Sequence, residues 1–378
     1  MSMKYYPDGI DDRVRRIVDL SREFGGNPEY VLAGGGNTSV KYDDHLFVKA
    51  SGTQLASIDA DGFVRMSRSK LDGIWEQRYP EDSALREEAV LSDMMAARSI
   101  DGDTRRPSVE CLLHNLFPHR YVVHTHPALV NGITCSVESL DAARKILGDD
   151  FVWLPVIDPG YILARHVKEA VDEHRARTGR FPRVVLLQNH GIFAAADTEE
   201  EIREIYRGVF DRIAAAVTTS PEPSSRILND EASVQILGAV HEALPGQSAV
   251  MFSNSDIDDM IADEESFAEL KLSVTPDHIV YCGYRPLFLD DIASAAREIA
   301  DFIKTEGFSA HIIAIRGQGI IAVHESGKRR DLARQLFLDN VKIAVYARSF
   351  GGIRFMPESN INFIRTWEAE KYRASQAK

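Results

Sequence analysis

The stretch VVLLQNHGIFAAADT, residues 184–198, decides how this chain is read. A short apolar run, an Asn-His-Gly turn, a second apolar run and an acidic helix start predict strand, tight turn, strand and helix. The same order returns as IIAIRGQGIIAVHES at residues 312–326, with Gln318 in the place of His190. Upstream, an offset of 127 residues sets Pro118 against Pro245, Asp150 against Asp277 and Pro159 against Pro286. Two copies of one α/β unit are therefore expected. The segment TTSPEPSS at 218–225 is rich in Pro and Ser and marks the linker between them. The expected boundaries are 1–222 for the first domain, 230–350 for the second and 351–378 for a tail. That tail, with its aromatic residues in GGIRFMPESNINFIRTW, is expected to lie against the first domain.

Working outward, Val14, Ile17, Val18 and Ser21 share one helical face, and Gly25-Gly26 stops the helix. GGGNTSVKY and DDHLFVKASG alternate around an Asp43-Asp44 turn, which predicts a hairpin. Residues 56–106 are charged and weakly patterned, and are expected to be helices with loops. A helix over 108–116 and a strand over 120–126 follow, then a strand near 151–157 and a helix over 161–177. The helix expected at 199–217 opens with the capping box Thr198-x-x-Glu201 and carries Ile202, Ile205, Val209 and Ile213 at helical spacing.

With 378 residues, 44% of them apolar and 27% charged, the chain can bury a sizeable core. Its net charge of −13 argues against non-specific binding to nucleic acid or an anionic membrane. Three scattered cysteines do not make a disulfide framework. With neither a signal core nor a membrane-spanning run, the expected location is the cytoplasm.

His124 and His126 stand two apart at the end of the apolar run Tyr121–Val123, so on a strand both imidazoles face one side. Alone, such a pair reads as two polar residues at a strand end. His190 also sits at a strand end, just before Gly191. Together the three supply neutral nitrogen ligands and leave one position open, the pattern of a catalytic zinc site. Glu110, at the start of the next helix upstream, is placed to act as acid/base over that metal or as a resting ligand. His114 lies one turn on and is a weaker candidate; His119, His166 and His311 read as ordinary. The glycine-rich turn Gly34–Ser39, the turn Ala50–Thr53 and Ser108 offer donors for an anion. Lys49 could add charge or simply be solvated.

These motifs, in this order, resemble the class II aldolase/adducin family. They are Gly36-Asn37-Thr38-Ser39, Ser51-Gly52, Ser108-Val109-Glu110, His124-Thr125-His126 and Asn189-His190-Gly191. The resemblance covers roughly residues 10–217. It is closer still to the aldolase part of bifunctional proteins that join a rhamnulose-phosphate aldolase to a short-chain dehydrogenase, through Pro107–His114, His124–His126 and Pro357–Ile361. Nothing after residue 230 offers a dehydrogenase's glycine-rich turn or Tyr-x-x-x-Lys pair.

The resemblance implies a class II aldolase-like α/β/α domain with a central, mostly antiparallel sheet, followed by a degenerate α/β copy. It implies one zinc on His124, His126 and His190, with Glu110 as acid/base. Gly36, Asn37, Thr38, Ser51, Gly52 and Ser108 would hold substrate phosphate. Val109 departs from a Ser common at that position in family aldolases, which weakens the phosphate set. The implied reaction is reversible cleavage of a rhamnulose- or fuculose-phosphate-like ketose 1-phosphate to dihydroxyacetone phosphate and a short aldehyde. The implied assembly is a homo-oligomer, a tetramer or dimer. A sugar-phosphate epimerase, dehydratase or decarboxylase would use the same histidines. An adducin-like interaction protein would lack an intact triad. In the second copy His124, His126, His190 and Glu110 fall on Met251, Ser253, Gln318 and Leu237, which do not suit catalytic zinc.

Overall fold

The computed structural model describes Tyr5 and residues 12–367, so the first residues of the expected first domain and residues 368–378 of the expected tail lie outside the described residues. The described chain gathers into two compact units. One holds residues 12–130, 143–215 and Trp367; the other holds 131–142 and 216–366. Among the described residues no helix is long and apolar enough to cross a membrane.

The first unit is built on seven strands: β1 (Asn37–Tyr42), β2 (His45–Lys49), β3 (Phe63–Ser67), β4 (Tyr121–Thr125), β5 (Val152–Leu154), β6 (Val184–Leu187) and β7 (Gly191–Ala196). Their order across the sheet is β3-β2-β1-β4-β7-β6-β5, antiparallel throughout except for β5 beside β6. Alternation along the strands sends Val48, Val122, Phe193 and Ala195 into a core with the helices Cys111–Leu116 and Tyr161–Thr178. The other face carries Thr38 and Thr125, met by Ser21 of the helix Asp12–Gly25 and Tyr206 of the helix Glu199–Ala216. The unit is thus an α/β/α sandwich with a mostly antiparallel centre. Thr198 and Glu201 exchange bonds at the start of the latter helix, as the capping box requires: Thr198 N–H donates to the Glu201 carboxylate, and Glu201 N–H to the Thr198 hydroxyl. In this unit a Cβ on Gly160 would lie 3.1 Å from the Trp367 ring.

One correction concerns residues 56–106. They contain β3, which extends the expected hairpin to three strands through the register Val48 with Val64 and Leu46 with Met66. Phe63, Val64 and Met66 are fully buried while Arg65 caps a loop through the Ser99 carbonyl, so a five-residue strand hides in charged surroundings.

The second unit has β8 (Arg226–Ile227), β9 (Ser248–Ser253), β10 (Leu287–Leu289), β11 (Ile312–Ile315) and β12 (Gly319–His324), in the order β10-β11-β12-β9-β8. The run β9-β12-β11-β10 repeats β4-β7-β6-β5 in order and direction, including the one parallel pair. Register repeats as well: His124 lies opposite Phe193, and Met251 opposite Ile321, the positions that the offsets of 127 and 128 make equivalent. β8 pairs with β9 where β1 pairs with β4.

The upstream alignment needs correcting. Asp277 opens the helix Pro276–Cys282, whereas Asp150 precedes β5; the strand matching β5 is β10, further along. The apolar run Ile279–Cys282 looks like a strand, but Pro276 in the first turn favours a helix start.

Candidate metal and acid/base site

The site grows from the ends of β4, β6 and β7. His124 is fully buried, its ring stacked on Phe193 at 4.0 Å between centroids. Its Nδ1 lies 2.9 Å from the Ile192 carbonyl, which can only accept, so Nδ1 carries the proton and Nε2 keeps its lone pair. After β6, Asn189 takes a left-handed conformation at φ 54°, and His190 N–H closes the turn on the Leu187 carbonyl at 3.2 Å. That turn sends the His190 ring back toward β4. Gly191 has to be glycine, because a Cβ there would sit 2.4 Å from the Thr125 carbonyl oxygen and 2.8 Å from the His126 ring. His126 N–H is anchored to the Tyr30 carbonyl at 3.0 Å.

One ligand nitrogen from each of His124, His126 and His190 lies within 4.8 Å of the others, the one such group of three or more among the described residues. Glu110 completes the cluster. The regular helix starts at Cys111, three positions later than expected, and Glu110 occupies the cap position with its side chain making no cap bond. Its carboxylate is free to face the histidines: Oε1 lies 3.4 Å from His124 Nε2 and 3.6 Å from His190 Nε2. This Oε1 is buried and has no hydrogen-bond partner among the described residues. A buried carboxylate oxygen left without a donor beside the His124 Nε2 lone pair is costly, unless a cation joins them. The residues therefore fit a divalent metal held by three imidazoles.

The other carboxylate oxygen is held. Asn37 Nδ2 donates to Glu110 Oε2 at 2.5 Å, and Asn37 Oδ1 meets His114 Nε2. His114 Nδ1 lies 2.7 Å from the Ser39 hydroxyl. Burial, with Lys41 next in effect, holds the His114 imidazole well below its ordinary value, so it is neutral at pH 7.

Of the residues expected to hold phosphate, Ser51, Gly52 and Ser108 lie on adjoining backbone. Gly36 adopts φ +63° and passes so close to β4 that a Cβ would lie 2.8 Å from the His124 carbonyl oxygen. Gly52 adopts φ +83°; Ser51 N–H donates to the Arg106 carbonyl and Ser108 N–H to the Lys49 carbonyl, at 2.8 and 2.9 Å. The Ser108 hydroxyl accepts from Glu110 N–H at 3.3 Å. Lys49 is buried rather than solvated, its ammonium donating to the Gly34 carbonyl at 3.2 Å. Thr38 is a correction: on the opposite face of β1, its hydroxyl is 2.7 Å from that of Ser21, away from Glu110. Asn37 also differs from expectation, since its amide is taken up between Glu110 and His114. The signal for this was present in the spacing: Asn37 and Ser39 are two apart on a strand, and Glu110 and His114 four apart at a helix start.

The residues match the profile of the Class II Aldolase and Adducin N-terminal domain over residues 15–207. The chain belongs to this family. It is 26% identical to an uncharacterized oxidoreductase, YuxG, of Bacillus subtilis, in an alignment that covers 98% of this chain. This chain spans 59% of the length of that relative. Among solved structures, it is similar to the N-terminal class II aldolase domain of a conserved Thermoplasma acidophilum protein, at 28% identity and a TM-score of 0.46, covering 57% of this chain and 98% of that one. It is also similar to an L-fuculose-1-phosphate aldolase of Thermus thermophilus, at 18% identity and a TM-score of 0.34, covering 53% and 92% of the two chains.

Proposed function

We propose that this family member is a divalent-metal-dependent aldolase that reversibly cleaves a ketose 1-phosphate to dihydroxyacetone phosphate and a short aldehyde. The observation that supports it most is Glu110 Oε1, buried without a donor and aimed at the His124 and His190 nitrogens. His124, His126 and His190 would hold zinc, which supplies Lewis-acid polarisation of the substrate carbonyl when bound. Glu110 takes or returns the proton at the carbon next to that carbonyl, using Oε1 while Asn37 holds Oε2. Backbone donors at Gly36 and Gly52, with the Ser51 and Ser108 hydroxyls, would bind the phosphate.

The second unit, 230–350, is read as a degenerate copy serving packing or assembly, after a first domain of 1–222 and before the tail from 351. Kinship with the aldolase part of rhamnulose-phosphate aldolase/dehydrogenase fusions is supported by alignment of nearly the whole chain with only part of YuxG. A cytoplasmic homo-oligomer is the accompanying reading. The test is metal analysis of the purified protein, coupled to a screen of 1-phosphorylated ketoses for release of dihydroxyacetone phosphate. Release that needs the metal supports the proposal. Conversion without release would move the chain to an epimerase, dehydratase or decarboxylase, and absence of metal together with activity would sink it.

A further inference from the structure

The row of groups behind Glu110 has a direction. An ionised carboxylate only accepts, so Asn37 must turn its nitrogen toward Glu110 Oε2 and its carbonyl toward His114. That carbonyl also only accepts, so His114 must carry its proton on Nε2. Nδ1 then carries the lone pair and accepts a hydrogen bond from the Ser39 hydroxyl. Each member leaves the next one orientation. Reversing His114 to its other tautomer would oppose two acceptors at Asn37 or turn the amide, pointing its carbonyl at the carboxylate.

We infer that His114 is a positioning residue for the reaction: in its Nε2-protonated form it locks the Asn37 amide, which pins Glu110 by Oε2 and leaves Oε1 facing the three histidines. The surroundings support a fixed, neutral ring. His114, Asn37, Ser39 and Glu110 are all at least nine-tenths buried, and the His114 ring meets the edge of Phe193 at 5.7 Å, the same phenyl that supports His124. The strand places Asn37 and Ser39 on one face, and their side chains converge on the two imidazole nitrogens, so ring and strand make a two-point contact. Packing alone would not require both nitrogens to be bonded.

This inference rests on the reading of Glu110 as acid/base, and its test separates the two. In the zinc-loaded protein with ¹⁵N-labelled histidine, His114 is expected to show a protonated Nε2 and an unprotonated Nδ1. The opposite tautomer would overturn the inference whatever the reaction proves to be. In kinetics, His114→Leu is expected to lower kcat by about 10- to 100-fold, with KM and zinc content near wild type, as for other groups that orient a site from behind. His114→Gln, whose amide N–H reaches the Nε2 position, should restore kcat to within about fivefold, whereas His114→Asn, whose amide falls at Nδ1, should not. Equal losses in Gln and Asn would show that His114 only fills space, and this pair serves if the Leu variant does not fold. Wild-type turnover in Glu110→Gln would remove the acid/base reading while leaving the tautomer result to stand or fall alone.

Discussion

The ends of β4 and β9 are the same place in two copies of one topology, and they hold opposite contents. At the end of β4, a glycine turn, three imidazoles and a carboxylate converge, with one carboxylate oxygen left without a donor. At the end of β9, Met251 and Leu228 approach Gly319 so closely that a Cβ there would lie 2.9 Å from each side chain. Ser253, in the place of His126, is bonded to Asp258. Strand order and register survive in both. The scaffold therefore does not depend on the metal site, because its stability comes from apolar faces such as Ile313, Ile315, Ile321 and Val323 in one unit and Val122, Val185 and Phe193 in the other. The chemistry is a local addition at a strand end.

The largest effect is expected where a ligand is removed. His124→Ala should take metal stoichiometry toward zero and abolish activity, while circular dichroism shows the fold retained; full occupancy in the variant would break the comparison between the two strand ends. Glu110→Gln comes next: kcat should fall by about 10²- to 10⁴-fold, the usual worth of general acid/base catalysis, with metal still bound. Measuring zinc and turnover on the same sample separates this loss from a ligand loss.

Backbone effects are smaller. Gly191→Ala should destabilise the chain by about 1–3 kcal/mol in denaturant titration and weaken metal binding, because the new Cβ meets the immovable Thr125 carbonyl at 2.4 Å. In the second unit, Gln318→His is expected to add no metal, since one imidazole does not make a site where Met251 and Leu228 fill the space; a second bound ion would show that the copy is less degenerate than proposed.

The smallest effect concerns pH. Burial, followed by the adjacent His324, pushes the His311 imidazole down to about 4. A group that binds its proton more weakly when folded leaves the unfolded chain with more protons between pH 6.5 and 4. Stability should thus be full above pH 6.5 and fall progressively through that window. Melting temperatures across the window should decline less in His311→Gln, and an unchanged decline would assign the loss to other groups.

Much of this was legible in the sequence because strand ends are local. Val184–Leu187 before Asn-His-Gly and Tyr121–Val123 before His-Thr-His mark where their histidines go, and the repeat showed through the same local pattern. What stayed hidden depends on contacts between distant segments. β3 is too short and too flanked by charge to show its alternation. The helix Pro276–Cys282 carries apolar residues that periodicity alone reads as strand. Thr38 sits between two polar residues of the opposite face, so only strand alternation separates its fate from that of Asn37. The bonding of Asn37 to both Glu110 and His114 joins segments 73 and 77 residues apart.

The most direct test of the central claim is the metal stoichiometry of the purified wild-type chain, set beside that of His190→Ala. About one divalent ion is expected per wild-type chain, with a large loss in the variant, whose missing ring is one of three ligands. A wild-type chain that takes up no ion when dialysed against zinc, or a variant that binds as much as wild type, would contradict it.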